Sequence, residues 1–198
     1  SRGLGDVYKR QGNAGVQEGQ ATTTGYMLFK RFNRSISKTS PGVASQNRPS
    51  IIFRLADFYL IYAEVANEVN PSDSRVLTYL NLVRERAGLP KVEILNPGIV
   101  GNKELQRAAI QRERQIELAT EGQRYFDVRR WMIADKDGEG RQNGYAHGMN
   151  VRGTINDTEE FNRVVETEKI VFNRKMYLQP IPDHEMRKTQ NLVQNPGW

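Results

Sequence analysis

The run Ile110–Trp131, IQRERQIELATEGQRYFDVRRW, holds two helical patterns separated by one glycine within 22 residues. Asn102, a little upstream, suits the N-cap of the first helix, and Gly122 offers the left-handed residue that ends it. Glu113, Glu117 and Glu121 recur every four residues and so share one helix face. Arg114 and Arg124 lie in reach of those carboxylates, at helical spacing or across the turn. In the second pattern Tyr125, Val128 and Met132 form a stripe, with Phe126 and Ile133 beside it. That stripe is expected to be buried.

Working upstream, Ile51–Val69 predicts a helix with Leu55, Phe58, Tyr62, Ala66 and Val69 on one face. Asn70-Pro71 stops it, and Ser72 or Asp73 caps the next helix. That helix carries Val76, Leu80, Val83 and Ala87 on its stripe and ends at Gly88, ahead of Pro90. Two amphipathic helices joined by a few residues make an antiparallel hairpin of the tetratricopeptide kind, although a roughly 34-residue spacing does not repeat cleanly along the chain. Lys91–Gly101, with Pro97-Gly98, reads as loop. Further upstream, Gly25–Phe32 is a short apolar and aromatic run suited to a strand, and Ser35–Ser50 reads as polar loop.

Downstream, the stretch from Asp135 to Asp157 carries five glycines and predicts one long loop. Loops of that length in a domain tend to be functional or disordered. Glu160–Leu178 is rich in Val, Ile, Phe and Tyr and predicts extended structure, with a hairpin turning near Asn173.

The run from Glu113 to Trp131 resembles the signature of the SusD/RagB family. Arg54-Leu55-Ala56-Asp57, Tyr62-Ala63-Glu64, Asn67-Glu68 and Asn81-x-x-Arg84-x-Arg86-Ala87-Gly88 are also similar to that family. So are Tyr177-Leu178-x-Pro180-Ile181-Pro182, Glu185 and the closing Gln194-Asn195-Pro196-Gly197-Trp198. The resemblance covers Gly25 to Trp198 and implies the C-terminal part of a longer family member, with Trp198 as its natural end. It implies a mainly α fold, in which tetratricopeptide-like helix hairpins carry long loops and a small extended portion. It also implies a surface lipoprotein of the Bacteroidetes outer membrane that binds oligosaccharide or another nutrient. Such a protein delivers its ligand to a TonB-dependent, SusC-like transporter without catalysis and without a cofactor. Its membrane contact would run only through an N-terminal lipid anchor that this fragment lacks. Residues 51–198 would be the SusD-like C-terminal helical domain, and residues 12–50 a loop and extended segment at a truncated start.

Ser1–Gln11, SRGLGDVYKRQ, shares no periodicity with the rest of the chain and reads as adaptor-derived sequence. It contributes +2 of the formal charge of +6 (29 basic minus 23 acidic residues). The remaining basic residues alternate with acidic ones along helices, a pattern that argues against nucleic acid as partner. Chain length suits one domain with a core of its own. Hydrophobic residues make up 37%, mean hydropathy is −0.68, and no apolar run approaches the roughly 20 residues of a membrane-spanning helix. Cysteine is absent, which excludes disulfides, thiolate chemistry and cysteine-bound zinc.

Three chemistries can be set against these residues. Glycoside hydrolysis needs two carboxyls facing each other about 5 to 10 Å apart. Glu113, Glu117 and Glu121, stacked along one helix among arginines, read instead as a structural ion-pair network. The run from Asp135 to Glu139 begins like a calcium loop, but its twelfth position is Ala146 where a glutamate belongs, and a solvated turn is the default. His147 and His184 lie too far apart in sequence to suggest a zinc site or a triad. Trp131 reads as core, while Trp198 stays open between anchor and stacking surface. Tyr145 and His147, in the glycine-rich loop, are the candidate ligand-binding residues, by loop position and amphipathic chemistry. The competing function is an intracellular tetratricopeptide-like scaffold for protein partners.

Overall fold

A computed structural model of the chain describes Lys30, residues 51–136 and 144–150, Glu159, and residues 164–198, with only the backbone of Val165 and Thr167. The expectations for residues 1–29, 31–50 and 137–143 lie outside these. The chain forms two compact units, one from Arg48 to Trp131 and the other from Ser1–Asn47 with Met132–Trp198. The boundary falls after Trp131, within the 51–198 stretch. Six α-helices and one two-stranded sheet are present among the described residues, and no helix among them is long and apolar enough to cross a membrane. The fold is mainly α, as the sequence predicts.

In the first unit α1 (Leu55–Val69) and α2 (Ser74–Arg86) form the expected hairpin. The connection is held by local side-chain bonds: Ser72 N donates to Asn70 Oδ1 at 3.1 Å, and Arg75 N to Asp73 Oδ1 at 2.9 Å. Asp73 is thus the N-cap of α2, which satisfies a donor that the first helical turn leaves unpaired. The 91–101 stretch is more ordered than a loop. It contains α3 (Val92–Leu95) and a 3-10 turn (Pro97–Ile99), because Val92 and Ile99 turn inward. Asn81 pins the entry to α3 by accepting from Val92 N at 3.0 Å and donating to Glu93 at 2.8 Å.

α4 (Lys103–Glu117) then packs across the hairpin, capped by Asn102, whose Oδ1 accepts from Leu105 N at 3.1 Å. The core of this unit is Leu60 and Ala63 of α1, Val76, Leu80 and Val83 of α2, Ile99, and Ile110 of α4. Each fully buried Leu or Ile there stabilises the fold by about 1.5–3 kcal/mol relative to an exposed one. Tyr79 lies against Tyr62 at 4.6 Å and Tyr59 at 5.3 Å between centroids, closing one flank of the hairpin.

The buried stripe of α1 differs from the predicted one. Ala56, Leu60, Ala63 and Asn67 face the core, whereas Leu55, Phe58, Tyr62 and Val69 are exposed. α1 is apolar on two sides, so periodicity alone defines two stripes. Packing against α2 and α4 selects one of them. The same correction applies to α5 (Gln123–Arg130), which buries Asp127 and Val128 and leaves Tyr125, Phe126 and Met132 exposed.

The end of α4 is corrected too. The helix stops at Glu117, short of Gly122, and the backbone turns through Thr120 at φ 68°. Arg54 explains the early stop: its Nη2 donates to the Glu117 carbonyl at 2.6 Å, satisfying an acceptor that a further helical turn would have used. Gly122 is left-handed as expected (φ 84°), but it serves as the N-cap of α5.

In the second unit β1 (Gly144–Met149) pairs antiparallel with β2 (Val164–Ile170), with a register irregularity between Ala146 and His147. The predicted 135–157 loop therefore contains a strand. The predicted hairpin about Asn173 is absent. Asn173 instead precedes a 3-10 turn, Arg174–Tyr177, and the partner of β2 lies upstream. α6 (Asp183–Met186) comes next. Phe172 is buried against Tyr177, at 5.0 Å between centroids.

Candidate functional site

The Ile110–Trp131 stretch supplies the charged centre of the first unit. Arg114 of α4 is almost fully buried, and its guanidinium reaches two elements at once. Nη1 donates to Asp57 of α1 at 2.9 Å, while Nε and Nη2 donate to the two oxygens of Asp127 on α5 at 3.0 and 3.2 Å. Arg130 extends the chain of charges, with Nε 2.9 Å from Asp127 and both terminal nitrogens on Glu64 of α1. The indole N–H of Trp131 donates to the same Glu64 at 2.6 Å.

Trp131 is half-buried rather than core. Its ring faces the Arg130 guanidinium at 4.6 Å and that of Arg124 at 5.8 Å, an arrangement in which cations meet the negative face of the indole.

The three glutamates expected on one face divide their work. Glu113 is buried against Arg84 at 2.9 Å. Glu117 pairs with Arg54 and Arg86. Glu121 lies beyond the helix and accepts from Arg54 Nε and Nη2, both at 2.9 Å. These bonds hold the Arg54 guanidinium above the usual arginine range, Glu121 contributing most. Carboxylates engaged by guanidinium groups in this way form an ion-pair network. Sequence spacing places Arg114 beside the glutamates of its own helix. Asp57 and Asp127 are its partners in the fold, and one signal points to them: an aspartate inside the otherwise apolar run Leu55–Leu60.

The candidate ligand residues sit in the second unit, on the hairpin. Tyr145 and His147 are two positions apart on β1 and both exposed, so they share one strand face. Tyr145 lies opposite Lys169, whose Nζ is 5.7 Å from the ring centroid, and His147 lies opposite Glu166. The result is a small open face that brings the Tyr145 phenol ring together with the side chains of His147, Lys169 and Glu166.

Asp135, the first residue of the calcium-like run, is otherwise engaged. Its carboxylate accepts from the Tyr177 hydroxyl at 2.6 Å, and that bond lowers its pKa below the usual aspartate range. Burial and the same carboxylate raise the Tyr177 phenol.

Trp198 acts as an anchor that is still half-open to solvent. Its indole N–H is shared between the carbonyls of Lys175 and Leu178, each at 3.0 Å, and Lys175 Nζ lies 4.3 Å from the ring. Gln194 exchanges two bonds with the Ile181 backbone, at 2.8 and 2.9 Å. Asn195 donates to Gln179 O at 2.6 Å. The closing segment thus folds back on the residues around the 3-10 turn.

The SusD family model matches residues 2–198, so the motifs on α1, α2, α4 and α5 and the closing segment all fall inside one continuous match. The chain belongs to the SusD family. SusD-like protein P25 of Formosa agariphila is 44% identical over 106 residues, covering 54% of this chain and 19% of that protein. SusD-like protein P2 of the same organism is 31% identical over 153 residues, covering 75% of this chain and 26% of the relative. Among solved structures, the selenomethionine form of BT4246 is similar with a TM-score of 0.74 and 29% identity, covering 94% of this chain and 31% of that one. A SusD-like protein from Bacteroides fragilis NCTC 9343 gives a TM-score of 0.67 and 27% identity, covering 92% and 32%. The chain therefore spans between a fifth and a third of the length of these SusD-like proteins.

Proposed function

We propose that this chain is part of a surface nutrient-binding protein of the outer membrane. It binds oligosaccharide without cleaving it and passes it to a TonB-dependent, SusC-like transporter. The observation that carries this reading is the SusD family match across residues 2–198. The geometry is compatible with it: the acidic residues of the signature stretch are committed to arginines that tie α1, α2, α4 and α5 together. A unit so braced is suited to a structural role and not to bond cleavage.

Tyr145 and His147 are the contact residues we assign within this chain. A tyrosine ring packs against the apolar face of a sugar, and an imidazole and a carboxylate bond to hydroxyls. Lys169 sits against the Tyr145 ring, so a sugar ring would stack on the opposite side or displace the ammonium.

The test is calorimetric titration of the full-length secreted protein with an oligosaccharide panel, beside affinity capture from outer-membrane extracts. Micromolar glycan binding together with a co-captured transporter supports the assignment. Absence of both, with cytoplasmic protein partners captured instead, would overturn it in favour of the scaffold reading. Tyr145→Ala with His147→Ala should weaken glycan binding by about tenfold, the ~1–2 kcal/mol of one stacked ring and its bonds. Unchanged affinity would remove these two residues from the site.

A further inference from the structure

We propose that the open face of the β1–β2 hairpin selects acidic oligosaccharides, holding the carboxylate of a uronate ring on Lys169 while that ring stacks on Tyr145. The inference rests on the binding role proposed above for Tyr145 and His147, and adds the chemical class of the ligand. The strand register places Tyr145 opposite Lys169 and His147 opposite Glu166, and all four side chains are exposed. Side chains alternate between the two faces of a strand, so Glu168, opposite Ala146, belongs to the other face. The open face is therefore polarised. A cation stands at its Tyr145 end, 5.7 Å from the ring centroid. A carboxylate stands at its His147 end, two residues or roughly 7 Å further along the strand.

These charges are also unspent. In the first unit the acidic residues of α1, α4 and α5 are all held by arginines, as Asp57 and Asp127 are by Arg114 and Glu68 is by Arg107. On the hairpin, Lys169, His147 and Glu166 make no ion pair with any described residue, and Lys169 has only the Tyr145 ring. A neutral sugar stacked on that side displaces the ammonium and offers it only hydroxyls. The exposed cation–π contact it removes is worth about two- to fivefold in affinity. A uronate returns a charge-assisted bond in its place. Its carboxylate is carried on a ring carbon, so stacking brings it to the rim of the tyrosine, within reach of the flexible stem of Lys169. Glu166 repels a second anion and accepts from ring hydroxyls. The ligand's orientation follows: carboxylate toward Lys169, hydroxyl donors toward Glu166.

The test is calorimetric titration of the full-length protein with a panel of oligosaccharides that each carry a single uronate residue, beside their carboxyl-reduced neutral twins. At low salt the acidic member of a pair should bind about tenfold tighter than its twin, and the advantage should shrink as salt screens it. Lys169→Gln should erase the advantage and leave the neutral twin within about fivefold of its original affinity. Lys169→Arg, which keeps the charge, should keep the advantage. Twins that bind alike, or a Lys169→Gln variant that weakens both equally, would overturn the acidic preference. If Tyr145→Ala still weakens both twins in that case, the hairpin remains a glycan site without charge selection. Unchanged affinity for every member in Tyr145→Ala removes the hairpin from binding, and this inference with it. A protein that binds neutral glycans and no uronate-bearing member also refutes the assignment.

Discussion

Replacing Arg114 by methionine tests whether the buried charge centre holds the helices together. The guanidinium makes three bonds of 2.9 to 3.2 Å to Asp57 and Asp127. Those aspartates are buried, 8% and 2% exposed. Methionine fills most of the volume but removes the charge. Asp127 keeps Arg130 at 2.9 Å, so the loss falls chiefly on Asp57, whose carboxylate would be left buried beside no cation. Breaking a buried pair on one side costs about 3–5 kcal/mol. For a chain of this length that lowers the melting temperature by roughly 6–20 °C. The assay is urea denaturation monitored by far-UV circular dichroism, at neutral pH and again near pH 4.

The variant's deficit should shrink toward acid. An ionised carboxylate buried with no cation beside it carries a cost that acid removes. The triple variant Asp57→Asn, Arg114→Met, Asp127→Asn should recover at least half of the loss, because no uncompensated buried anion remains. A loss below about 1 kcal/mol in Arg114→Met, or a triple variant no better than the single one, would refute the reasoning.

Two further outcomes come from local geometry. Gly197 is left-handed at φ 86°, and an added Cβ would stand 3.0 Å from Cβ of Lys175, so Gly197→Ala should cost about 1–2 kcal/mol and loosen the closing turn; the Trp198 indole N–H resonance, bonded to Lys175 O and Leu178 O in the native chain, checks this and should move toward its solvent-exposed position. Glu68 has its pKa lowered from 4.5 to about 2, mainly by the bond from Arg107; its contribution is therefore complete above pH 4.5 and lost as pH falls toward 2, and since the pair is largely exposed, Glu68→Gln should cost only ~0.2–1 kcal/mol at pH 7 and nothing near pH 2, read from denaturation curves at the two pH values.

The helices of the first unit are legible because their boundaries are written in local chemistry: Asp73 and Asn102 as caps, Asn70-Pro71 as a stop, Gly88 after α2. What the sequence does not show is which of two apolar stripes on α1 faces the core, since that depends on α2 and α4 and not on α1 itself. The end of α4 is misread for a similar reason. Gly122 carries the local signal for a stop, but Arg54, 63 residues away from Glu117, takes the carbonyl that ends the helix. β1 is hidden because Gly144, Ala146 and Gly148 give it no β-branched pattern; its extended form is stabilised by pairing with Val164–Ile170.

The same contrast explains why the signature stretch identifies the family without naming a ligand. Its charged residues pair across long separations: Arg114 with Asp57 over 57 positions, Arg130 with Glu64 over 66, and Glu121 with Arg54 over 67. Each pair needs a specific residue type at both ends, and loss of either leaves a buried or half-buried charge uncompensated. Such residues therefore define how these helices assemble, which is why a short stretch suffices to recognise the fold. A residue locked into that network has its hydrogen-bonding capacity already used and offers a ligand little. Under the proposed function, ligand contacts fall on side chains the network leaves open, such as the exposed face of the β1–β2 hairpin. Open positions of that kind are not fixed by the ion pairs that assemble the helices, so nothing in the fold's own chemistry makes them readable from sequence.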